Sequence, residues 1–331
     1  MVSTAGPDPA VAEVRSAVRD CLADVDPGAV VLVACSGGPD SMALAAAVVF
    51  ESRRSGWLVG AVVVDHGLQP GSAEVASAVA DHLRAMGCDP VEVVAVDATG
   101  ADGPEGSARR ARYAALAAAA DRRGSSVVLL GHTLDDQAET VLLGLARGSG
   151  ARSIAGMASI AGRYRRPLLA LRRAQTRQAC RAEQLEVWED PHNQDRRFAR
   201  VRIRLDVLPA LEAAVGPGVA EALARTARQA RWDADLLERL ADDRYAELGG
   251  EAGLAVDRLA TEPPAVRRRV LRAAALRAGA PPGELFDVHV GAVDNLVTAW
   301  HGQAGVDLPG RVRASRHGSY LTFRAAPPPA G

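Results

Sequence analysis

One stretch, VVLVACSGGPDSMALAAAVV at residues 30–49, restricts most strongly what this chain can fold into. A buried valine-rich run leads directly into two glycines, and an alanine-rich helical pattern follows at once. Gly37 and Gly38 are expected to let the backbone take a positive φ and approach an anion closely, and the N–H groups and dipole at the start of a helix attract negative charge. The stretch therefore predicts a β-strand, a phosphate-holding loop from Ser36 to Ser41, and a helix.

Similar apolar runs recur along the first half of the chain, and helical patterns separate them. The runs are 30–35, 58–64, 91–96 and 126–130, with helical spacing over 40–54, 72–86 and 105–123. Strands buried on both faces and alternating with helices predict an α/β fold with a doubly wound parallel sheet. In such sheets, ligands bind beyond the carboxyl ends of the strands. The residues that follow the later runs are Asp65, His66, Asp97, Gly131 and His132, and we expect them near the loop.

The second half of the chain is predicted to be mainly helical. A helical pattern covers 199–248 with a break at 216–218, others occur near 264–278 and 285–300, and alternation over 305–323 predicts a small hairpin arrangement. We divide the chain into an N-terminal helix (1–25), a nucleotide-binding catalytic domain (26–214), a helical linker (215–250), a mainly helical C-terminal domain (251–324) and a disordered tail (325–331).

Charge is distributed unevenly, although the formal net charge is only -1. Residues 1–150 contain 11 arginines against 19 acids, whereas residues 163–204 contain 12 arginines against 5 acids. The chain has no lysine, so arginine supplies every basic side chain other than histidine. An arginine-rich segment beside an acidic domain is typical of a protein that binds a polyanion such as RNA. A solvated arginine face is the alternative interpretation.

Cysteine usage and apolar runs exclude several classes of protein. Cys21, Cys35, Cys88 and Cys180 form no C-x-x-C pair, which argues against structural zinc, an iron–sulfur cluster and a disulfide framework. The N-terminal residues lack a signal-peptide pattern, and no apolar run approaches the ~20 residues of a membrane span. We expect a cytoplasmic protein without membrane association. The oligomeric state is not determined by the sequence, and a homodimer is one option.

The loop resembles the PP-loop of the ATP pyrophosphatases, which have an adenine nucleotide alpha hydrolase-like fold. The matching residues are Ser36, Gly37, Gly38, Pro39, Asp40 and Ser41. The lysine of a Walker loop and the glycine spacing of a dinucleotide-binding fold are both absent. Members of this family split ATP between the α- and β-phosphates and activate a carbonyl oxygen by adenylation. The resemblance implies ATP and Mg²⁺ as cofactors; a purely structural glycine turn is the alternative.

Three further stretches are similar to one branch of that family, the tRNA(Ile)-lysidine synthetases (TilS/MesJ). They are GHTLDDQAETVLLGLARGSG (131–150), EGSARRARYAAL (105–116) and WEDPHNQDRRFARVRIRLDVLPAL (188–211). The resemblance implies ATP-dependent ligation of L-lysine to C2 of the wobble cytidine in the CAU anticodon of isoleucine tRNA. The reaction passes through an adenylated cytidine and changes the reading of the anticodon from AUG to AUA. Larger members carry a further C-terminal domain, so we expect a compact form.

The resemblance also implies roles for acidic residues near the loop. Asp136 and Glu139 share one helix face and are expected to bind the ammonium group of the lysine substrate. Asp40 and Asp136 are the expected magnesium ligands, and His132 is expected to contact the ATP phosphates. Capping of a helix by the acids, and of a strand by His132, are the alternatives. Which carboxylates bind Mg²⁺ and which bind lysine is left open.

Two pairs of arginines complete the predicted site. Arg109 and Arg112 lie at i and i+3 on one helix and are expected to stabilise phosphate charge or developing charge on the pyrimidine. Arg200 and Arg204 match arginines of the family and are expected to hold the tRNA. An exposed basic face is the alternative for the first pair. The family usually has asparagine where this chain has Val201, and the effect of that difference is left open.

Two competing functions stay open on the sequence alone. The first is another adenylating PP-loop enzyme, such as a tRNA thiolase or an amidotransferase-linked synthetase, which would need a cysteine relay or a glutaminase partner. The second is a non-catalytic nucleotide- or RNA-binding protein on the same fold. The sequence shows no cysteine pair and keeps Ser36, Asp40, Ser41, Asp136 and Glu139 together, which favours the ligase. How methionine tRNA with the same anticodon is rejected is not predicted.

Overall fold

A computed structural model describes residues 6–67, 69, 71–97, 103–148, 150–250 and 252–326. The chain forms two compact units: residues up to 146 together with 156–227, and residues 147–155 together with those from 228 onward. The boundary at 227 falls inside the segment 215–250 that we expect to be a linker. The domain limits given above stay predictions. Residues 327–331 of the expected disordered tail lie outside the described residues.

The first unit contains one six-stranded sheet and most of the helices. Its strands are β1 (Val30–Ala34), β2 (Leu58–Asp65), β3 (Val91–Ala95), β4 (Val127–Leu130), β5 (Ile160–Ala161) and β6 (Tyr164–Arg165). Helices of the chain up to residue 248 are α1 (Pro9–Cys21), α2 (Pro39–Ser55), α3 (Ser72–Met86), α4 (Gly103–Arg123), α5 (Leu134–Ala146), α6 (Ala151–Ile154), α7 (Arg173–Ala182), α8 (Ala199–Arg202), α9 (Leu208–Val215) and α10 (Val219–Leu248). Helix α6 belongs to the second unit. A π-helical segment joins α8 to α9.

The strand order β3-β2-β1-β4-β6-β5 confirms the predicted doubly wound sheet. All neighbouring strands are parallel except β5, which runs antiparallel to β6. The chain builds the sheet outward from β1 to β3 and then returns to place β4 on the other side of β1. Such a reversal leaves a crevice at the carboxyl ends of the two central strands. Ala34 of β1 lies opposite Leu130 of β4, so the segments that follow these strands start side by side.

The two faces of the sheet explain why the strands are continuously apolar. Val31 and Val33 of β1 pack in one core with helices α1, α2 and α3. Leu32 points to the opposite face, where it packs with Leu116 of α4. Because both faces are covered by helices, the three middle residues of β1 are buried whichever face their side chains point to.

The second unit combines helices with a small sheet. Beyond α10 it contains α11 (Val256–Thr261), α12 (Pro264–Arg277) and α13 (Asp287–Thr298), with strands β7 (Gly249–Gly250), β8 (Gly253–Ala255), β9 (Val306–Leu308), β10 (Val312–His317) and β11 (Tyr320–Ala325). The predicted helices and hairpin are both present. The hairpin β10–β11 is the centre of a five-stranded antiparallel sheet of order β7-β8-β11-β10-β9. Strands β7 and β8 were not predicted because they are two and three residues long and rich in glycine.

No single helix in the described residues combines the length and the apolar composition of a membrane span. Only taken together, across a bend of 99°, do Ala199–Val215 and Val219–Leu248 reach both limits.

Candidate active site

The predicted loop joins β1 to α2 at the crevice between β1 and β4. Its two serine hydroxyls lie 3.4 Å apart, and the buried hydroxyl of Ser41 donates to the carbonyl of Gly38. That same hydroxyl accepts a hydrogen bond from the backbone N–H of Ser36. Ser41 therefore closes the loop on itself, while Pro39 and Asp40 form the first turn of α2. Gly131, after β4, lies so close to Asp40 and Ser41 that a Cβ there would stand 3.1 Å from their backbone atoms.

The two loop glycines have different conformations. Gly37 has φ +82°, and its carbonyl accepts a hydrogen bond from the N–H of Trp188. Gly38 has φ -72° and ψ 161°, which is ordinary extended backbone. The prediction that glycine is needed for positive φ is confirmed at Gly37 and wrong at Gly38. The reason is that Gly38 already occupies the cap position of α2, which takes extended angles.

Replacement of Gly37 by alanine is expected to destabilise the protein by about 2 kcal/mol. An alanine Cβ there would stand 2.5 Å from Val79 Cγ2, in addition to the strain of the positive φ. The matched variant is Gly38→Ala, where the nearest atom is Ser36 Oγ at 3.7 Å and φ is negative. Urea unfolding should place Gly38→Ala within about 0.5 kcal/mol of the parent. Equal losses for the two variants would contradict this description of the loop.

Three carboxylates from two helix starts meet beside the loop. Asp40 is in the first turn of α2, and Asp136 and Glu139 lie one turn apart on α5. Their side chains are 21%, 13% and 0% exposed, respectively. The predicted shared face of Asp136 and Glu139 is present, because both acids contact the same two arginines, Arg173 and Arg204.

Asp136 also caps α5, so the alternative given above is part of its role. Its Oδ2 atom accepts hydrogen bonds from the backbone N–H and the hydroxyl of Thr133, each at 2.8 Å. The Oδ1 atom lies 2.7 Å from Arg173 Nη2. One oxygen of this carboxylate thus serves the helix, and the other faces the site.

Arg173, the first residue of α7, is the centre of the acidic cluster. Its three guanidinium nitrogens each face a different acid: Nε lies 3.4 Å from Asp40, Nη2 lies 2.7 Å from Asp136, and Nη1 lies 3.6 Å from Glu139. The hydroxyl of Thr176, one turn further along α7, contacts Asp40. Arg173 was not singled out from the sequence, where it is one of twelve arginines in a basic segment.

Burial and Arg173 set the protonation of these acids in opposite directions. Burial raises the pKa of Asp40 above its ordinary value, against the opposing effects of Arg173 and Thr176. Burial also acts to raise the pKa of Asp136, but Arg173 and the N–H of Thr133 hold it below its ordinary value. The pKa of Arg173 itself is raised, because the surrounding acids outweigh the effect of burial. The site therefore holds Asp136 and Arg173 as an ion pair.

The arginines predicted to hold tRNA lie against α5. Arg204 forms hydrogen bonds to both oxygens of Glu139, at 2.7 and 3.2 Å. Arg200 donates to the hydroxyl of Thr140 at 3.3 Å. Val201, between them, is buried at 6% exposure. The structure thus places Arg204 inside the acidic cluster and Arg200 at its edge.

A second group of basic side chains lies near Asp136. Arg112 of α4 is near enough to His66, His132 and Asp136 to influence their charge. Nδ1 of His66 and Nδ1 of His132 are both buried and have no hydrogen-bond partner among the described residues. Burial, reinforced by Arg112, lowers the pKa of His132 to about 3. His132 is therefore neutral at physiological pH, and its buried Nδ1 atom lacks a hydrogen-bond partner among the described residues.

Arg109 lies one turn before Tyr113 on α4 and is exposed, with its guanidinium 5.1 Å from the tyrosine ring centre. Arg109 and Tyr113, four residues apart, therefore lie on the same face of α4. The hydroxyl of Tyr113 accepts a hydrogen bond from buried Arg166, and its ring packs edge-on against Tyr164 at 5.0 Å. Arg109 is thus the solvent-facing member of this basic group and Arg112 the inward-facing one.

The neutral state of His132 predicts acid sensitivity. Its folded pKa of about 3 lies below the unfolded value of 6.5, so the stability is complete above pH 6.5 and falls as the pH drops towards 3. When the pH is lowered from 6.5 to 5, we expect the free energy of unfolding of the parent to fall by about 2 kcal/mol more than that of His132→Gln. Neighbouring charges that shape this response are Arg112, Asp136, Arg166 and Arg109. Urea unfolding at the two pH values measures it, with exposed His82→Gln as control; parallel losses in all three proteins would rule it out.

The basic segment 163–204 is not a free cationic surface. At least eight of its twelve arginines form ion pairs with other described residues: Arg163, Arg165, Arg172, Arg173, Arg177, Arg196, Arg197 and Arg204. Five of these pair with acids of residues 1–150, namely Asp121, Asp24, Asp135, Asp136 and Glu139. Part of the complementary charge of the two segments is therefore used in contacts within the first unit. The prediction of an RNA-gripping surface from charge imbalance alone is weakened accordingly.

The donor set fits a magnesium ion that arrives with a nucleotide. In the described part of the chain, no group of three or more histidine, cysteine or acidic side chains has the arrangement of a metal site. Mg²⁺ commonly uses one or two carboxylates and completes its shell with phosphates and water. Asp40 and Asp136 supply two carboxylates that both contact the guanidinium of Arg173, next to the phosphate loop.

A doubly wound parallel sheet that carries an SGGPDS loop at its central crevice defines a PP-loop domain, the class that uses ATP. Comparison with known proteins agrees: the chain matches the PP-loop domain over residues 11–211 and the TilS substrate binding domain over 254–320. It is 53% identical to the tRNA(Ile)-lysidine synthase of Streptomyces coelicolor, with 96% of this chain and 99% of that protein covered. The chain belongs to the tRNA(Ile)-lysidine synthase family.

Two further comparisons are consistent with this assignment. The tRNA(Ile)-lysidine synthase of Thermobifida fusca is also 53% identical, with 97% of this chain and 99% of that protein covered. Among solved structures, the U34-tRNA thiolase NcsA from Methanococcus maripaludis aligns with a TM-score of 0.57 over 66% of this chain and 79% of its own. Its sequence identity is 18%, so this similarity concerns the fold alone.

Proposed function

We propose that this protein is a tRNA(Ile)-lysidine synthetase that joins L-lysine to C2 of the wobble cytidine in the CAU anticodon of isoleucine tRNA. The reaction consumes ATP and releases AMP and diphosphate. The observation that carries this proposal is the convergence of Asp40, Asp136 and Glu139 beside a phosphate loop, with neutral His132 and cationic Arg112 next to them. An acidic cluster suits an amine substrate, and a basic edge suits phosphate and a nucleobase.

The loop and the start of α2 hold the diphosphate portion of ATP. The positive φ of Gly37 turns the backbone so that the following N–H groups and the helix dipole point towards an anion. The C2 oxygen of cytidine then attacks the α-phosphorus, which forms an O–P bond and breaks the bond to diphosphate. Ser36 and Gly38 are the loop residues placed to contact that leaving group.

Magnesium, held by Asp40 and Asp136, would supply charge neutralisation at the phosphates. Arg112 faces the same region from α4, and its fixed charge opposes the negative charge that develops as the adenylate forms. The unpartnered Nδ1 of His132 is available to a phosphate or ribose group of the nucleotide. Both residues therefore act in the first step.

Lysine completes the second step by attacking C2 with its neutral amine, which displaces AMP and forms a C–N bond. Before attack, the ammonium group must be bound and must lose a proton. Glu139 and Asp136 are the carboxylates on the face of α5 that can bind it. Adenylation of the oxygen is what makes it a good leaving group for this attack.

The wobble base must leave the anticodon stack to reach the crevice, as single-stranded bases do in RNA recognition generally. Arg109, exposed next to Tyr113, and Arg200, at the rim of the acidic cluster, are the first-unit residues that we propose contact the tRNA. We assign further grip on the tRNA to the second unit, whose residues 254–320 match the substrate binding domain. A cytoplasmic location follows from this role, since tRNA is modified there.

The test is a direct transfer assay with ATP, Mg²⁺, labelled lysine and transcripts of isoleucine tRNA and methionine tRNA, both with the CAU anticodon. We expect label on the isoleucine transcript and AMP in equal amount. The competing PP-loop activities would consume ATP without transferring lysine. Binding of the isoleucine transcript with no lysine transferred would overturn the proposal.

A further inference from the structure

The guanidinium of Arg173 forms ion pairs with three acids at once. Each of its nitrogens faces a different carboxylate, at 3.4, 2.7 and 3.6 Å for Asp40, Asp136 and Glu139. By contrast, Arg177 of the same helix pairs with one acid, Glu189, and both side chains are exposed. Arg173 is 18% exposed, so its side chain is not fully enclosed.

The backbone of Arg173 is fixed independently of its side chain. Its N–H donates to Asp135 Oδ2 at 2.8 Å, and its carbonyl accepts a hydrogen bond from the hydroxyl of Thr176 at 2.8 Å. Helix α7 would therefore stay in place if the guanidinium left the acids. Movement of the guanidinium requires only rotation about side-chain bonds, which is fast.

The charges of the cluster show what the guanidinium does. Asp40, Asp136 and Glu139 carry three negative charges when ionised, and Arg173 and Arg204 supply two positive ones. Loss of Arg173 would leave these three mostly buried acids with Arg204 as their ion-pair partner among the described residues, which electrostatics strongly disfavours. A divalent cation between Asp40 and Asp136 would replace that charge. The guanidinium and such a cation cannot occupy the same space together.

We propose that Arg173 is a positioning residue that serves as a built-in counter-ion: it occupies the divalent-cation position between Asp40 and Asp136 and excludes free metal until ATP binds. The inference rests on the proposed function, because it assumes that ATP arrives at the adjacent loop. ATP at the loop that contains Asp40 would bring a phosphate group close to Arg173. That phosphate is a new bidentate partner for the displaced guanidinium. Free metal offers no such partner, so it does not displace Arg173 alone.

Titration with Mn²⁺, a paramagnetic substitute for Mg²⁺, tests this in the full-length protein without nucleotide. Loss of the electron paramagnetic resonance signal of free Mn²⁺ reports binding. We expect Arg173→Gln to bind Mn²⁺ at least about tenfold more tightly than the parent, since a repelling charge is removed from the site. A merely structural role for Arg173 would lower metal affinity or leave it unchanged, and either result overturns the proposal.

Three further variants locate the effect. Arg177→Gln removes a charge from the same helix and should bind Mn²⁺ as the parent does. Arg173→Lys keeps a cation and should gain little affinity. In the double variant Arg173→Gln, Asp136→Asn the gain should disappear, and a gain that persists would place the metal elsewhere and refute the assignment.

Folding of Arg173→Gln can itself depend on metal, and this provides a second readout. If the variant has a lowered melting temperature, Mg²⁺ should restore it more than NaCl of equal ionic strength does. Failure of Mg²⁺ to do so would count against the proposal. The outcome is separable from the proposed function, because metal exclusion is measured without tRNA or lysine, and lysine transfer is measured on the parent.

Discussion

Replacement of Asp40 by asparagine is expected to lower the rate of AMP formation by about a thousandfold, equivalent to about 4 kcal/mol in the activation barrier. Asp40 stands in the first turn of α2, within the loop, and contacts Arg173 and Thr176 from α7. Asparagine keeps the shape of the side chain but removes the charge that would bind magnesium. Affinity for tRNA should change by less than about twofold, because the carboxylate lies at the ATP side of the site.

The measurement combines release of labelled AMP with tRNA binding by filter retention. Asp121→Asn is the matched control, because Asp121 is an exposed acid of the same unit that pairs with Arg163. It should retain the AMP-forming rate of the parent. A large loss of tRNA affinity in Asp40→Asn would show that Asp40 belongs to the RNA-binding surface instead.

Truncation of Glu139 to alanine is expected to destabilise the protein by about 3 kcal/mol. The side chain is fully buried and forms two hydrogen bonds with Arg204, with Arg173 at 3.6 Å on its other side. Without it, two arginines share the remaining charge of Asp136, which lies 3.8 Å from Arg204. Leaving a buried charge without its partner costs more than the intact pair contributes.

Urea unfolding measures this loss, and Glu189→Ala provides the comparison. Glu189 is exposed and pairs with exposed Arg177, so its removal should cost less than about 1 kcal/mol. Glu139→Gln keeps a hydrogen-bonding group next to Arg204 and should fall between the two. If Glu139→Ala and Glu189→Ala were equally stable, the cluster would not be holding α5 to the helical segment that contains Arg204.

The strands of the first unit could be predicted because a strand that is buried on both faces appears in the sequence as a continuous apolar run. Each valine-rich run became a parallel strand. The inner strands are almost entirely apolar because both faces of the sheet are covered, whereas β3, at the edge, contains Glu92 and the exposed Val93. The residues after β1 and β4 were predicted to meet because parallel strands share one carboxyl edge. Strands β5 and β6 were missed because two residues are too few to show a period.

The partners within the site could not be predicted by the same means. Asp40, Asp136 and Glu139 stood out by motif, but Arg173 was hidden among neighbouring arginines whose contacts depend on tertiary packing. One local signal existed: Arg172 and Arg173 open a helix that begins shortly after strand β6 returns to the sheet. Periodicity could not tell that this helix start would face the acids of α5. The roles of the predicted residues remain predictions, whereas their proximity is now described.

The same limitation applies to the prediction made from the basic segment, which stays a prediction. A count of arginines measures charge along the chain, but binding depends on charge that stays exposed after folding. Arg163 pairs with Asp121, about forty residues earlier in the chain, and Arg165 pairs with Asp24, more than a hundred residues earlier. Opposite charge in two segments of one chain therefore predicts their mutual contact as readily as it predicts an external polyanion.

The divided carboxylate of Asp136 has a practical consequence for observing the enzyme at work. Its Oδ2 atom accepts a hydrogen bond from the N–H of Thr133, and its Oδ1 atom faces Arg173. A ligand in the crevice therefore acts on a carboxylate that also caps α5. The rate of hydrogen exchange at the amide of Thr133 should therefore change when a ligand binds in the crevice. The first turn of α5 is thus a native sensor, readable by isotope exchange without any label attached to the protein or to its substrates.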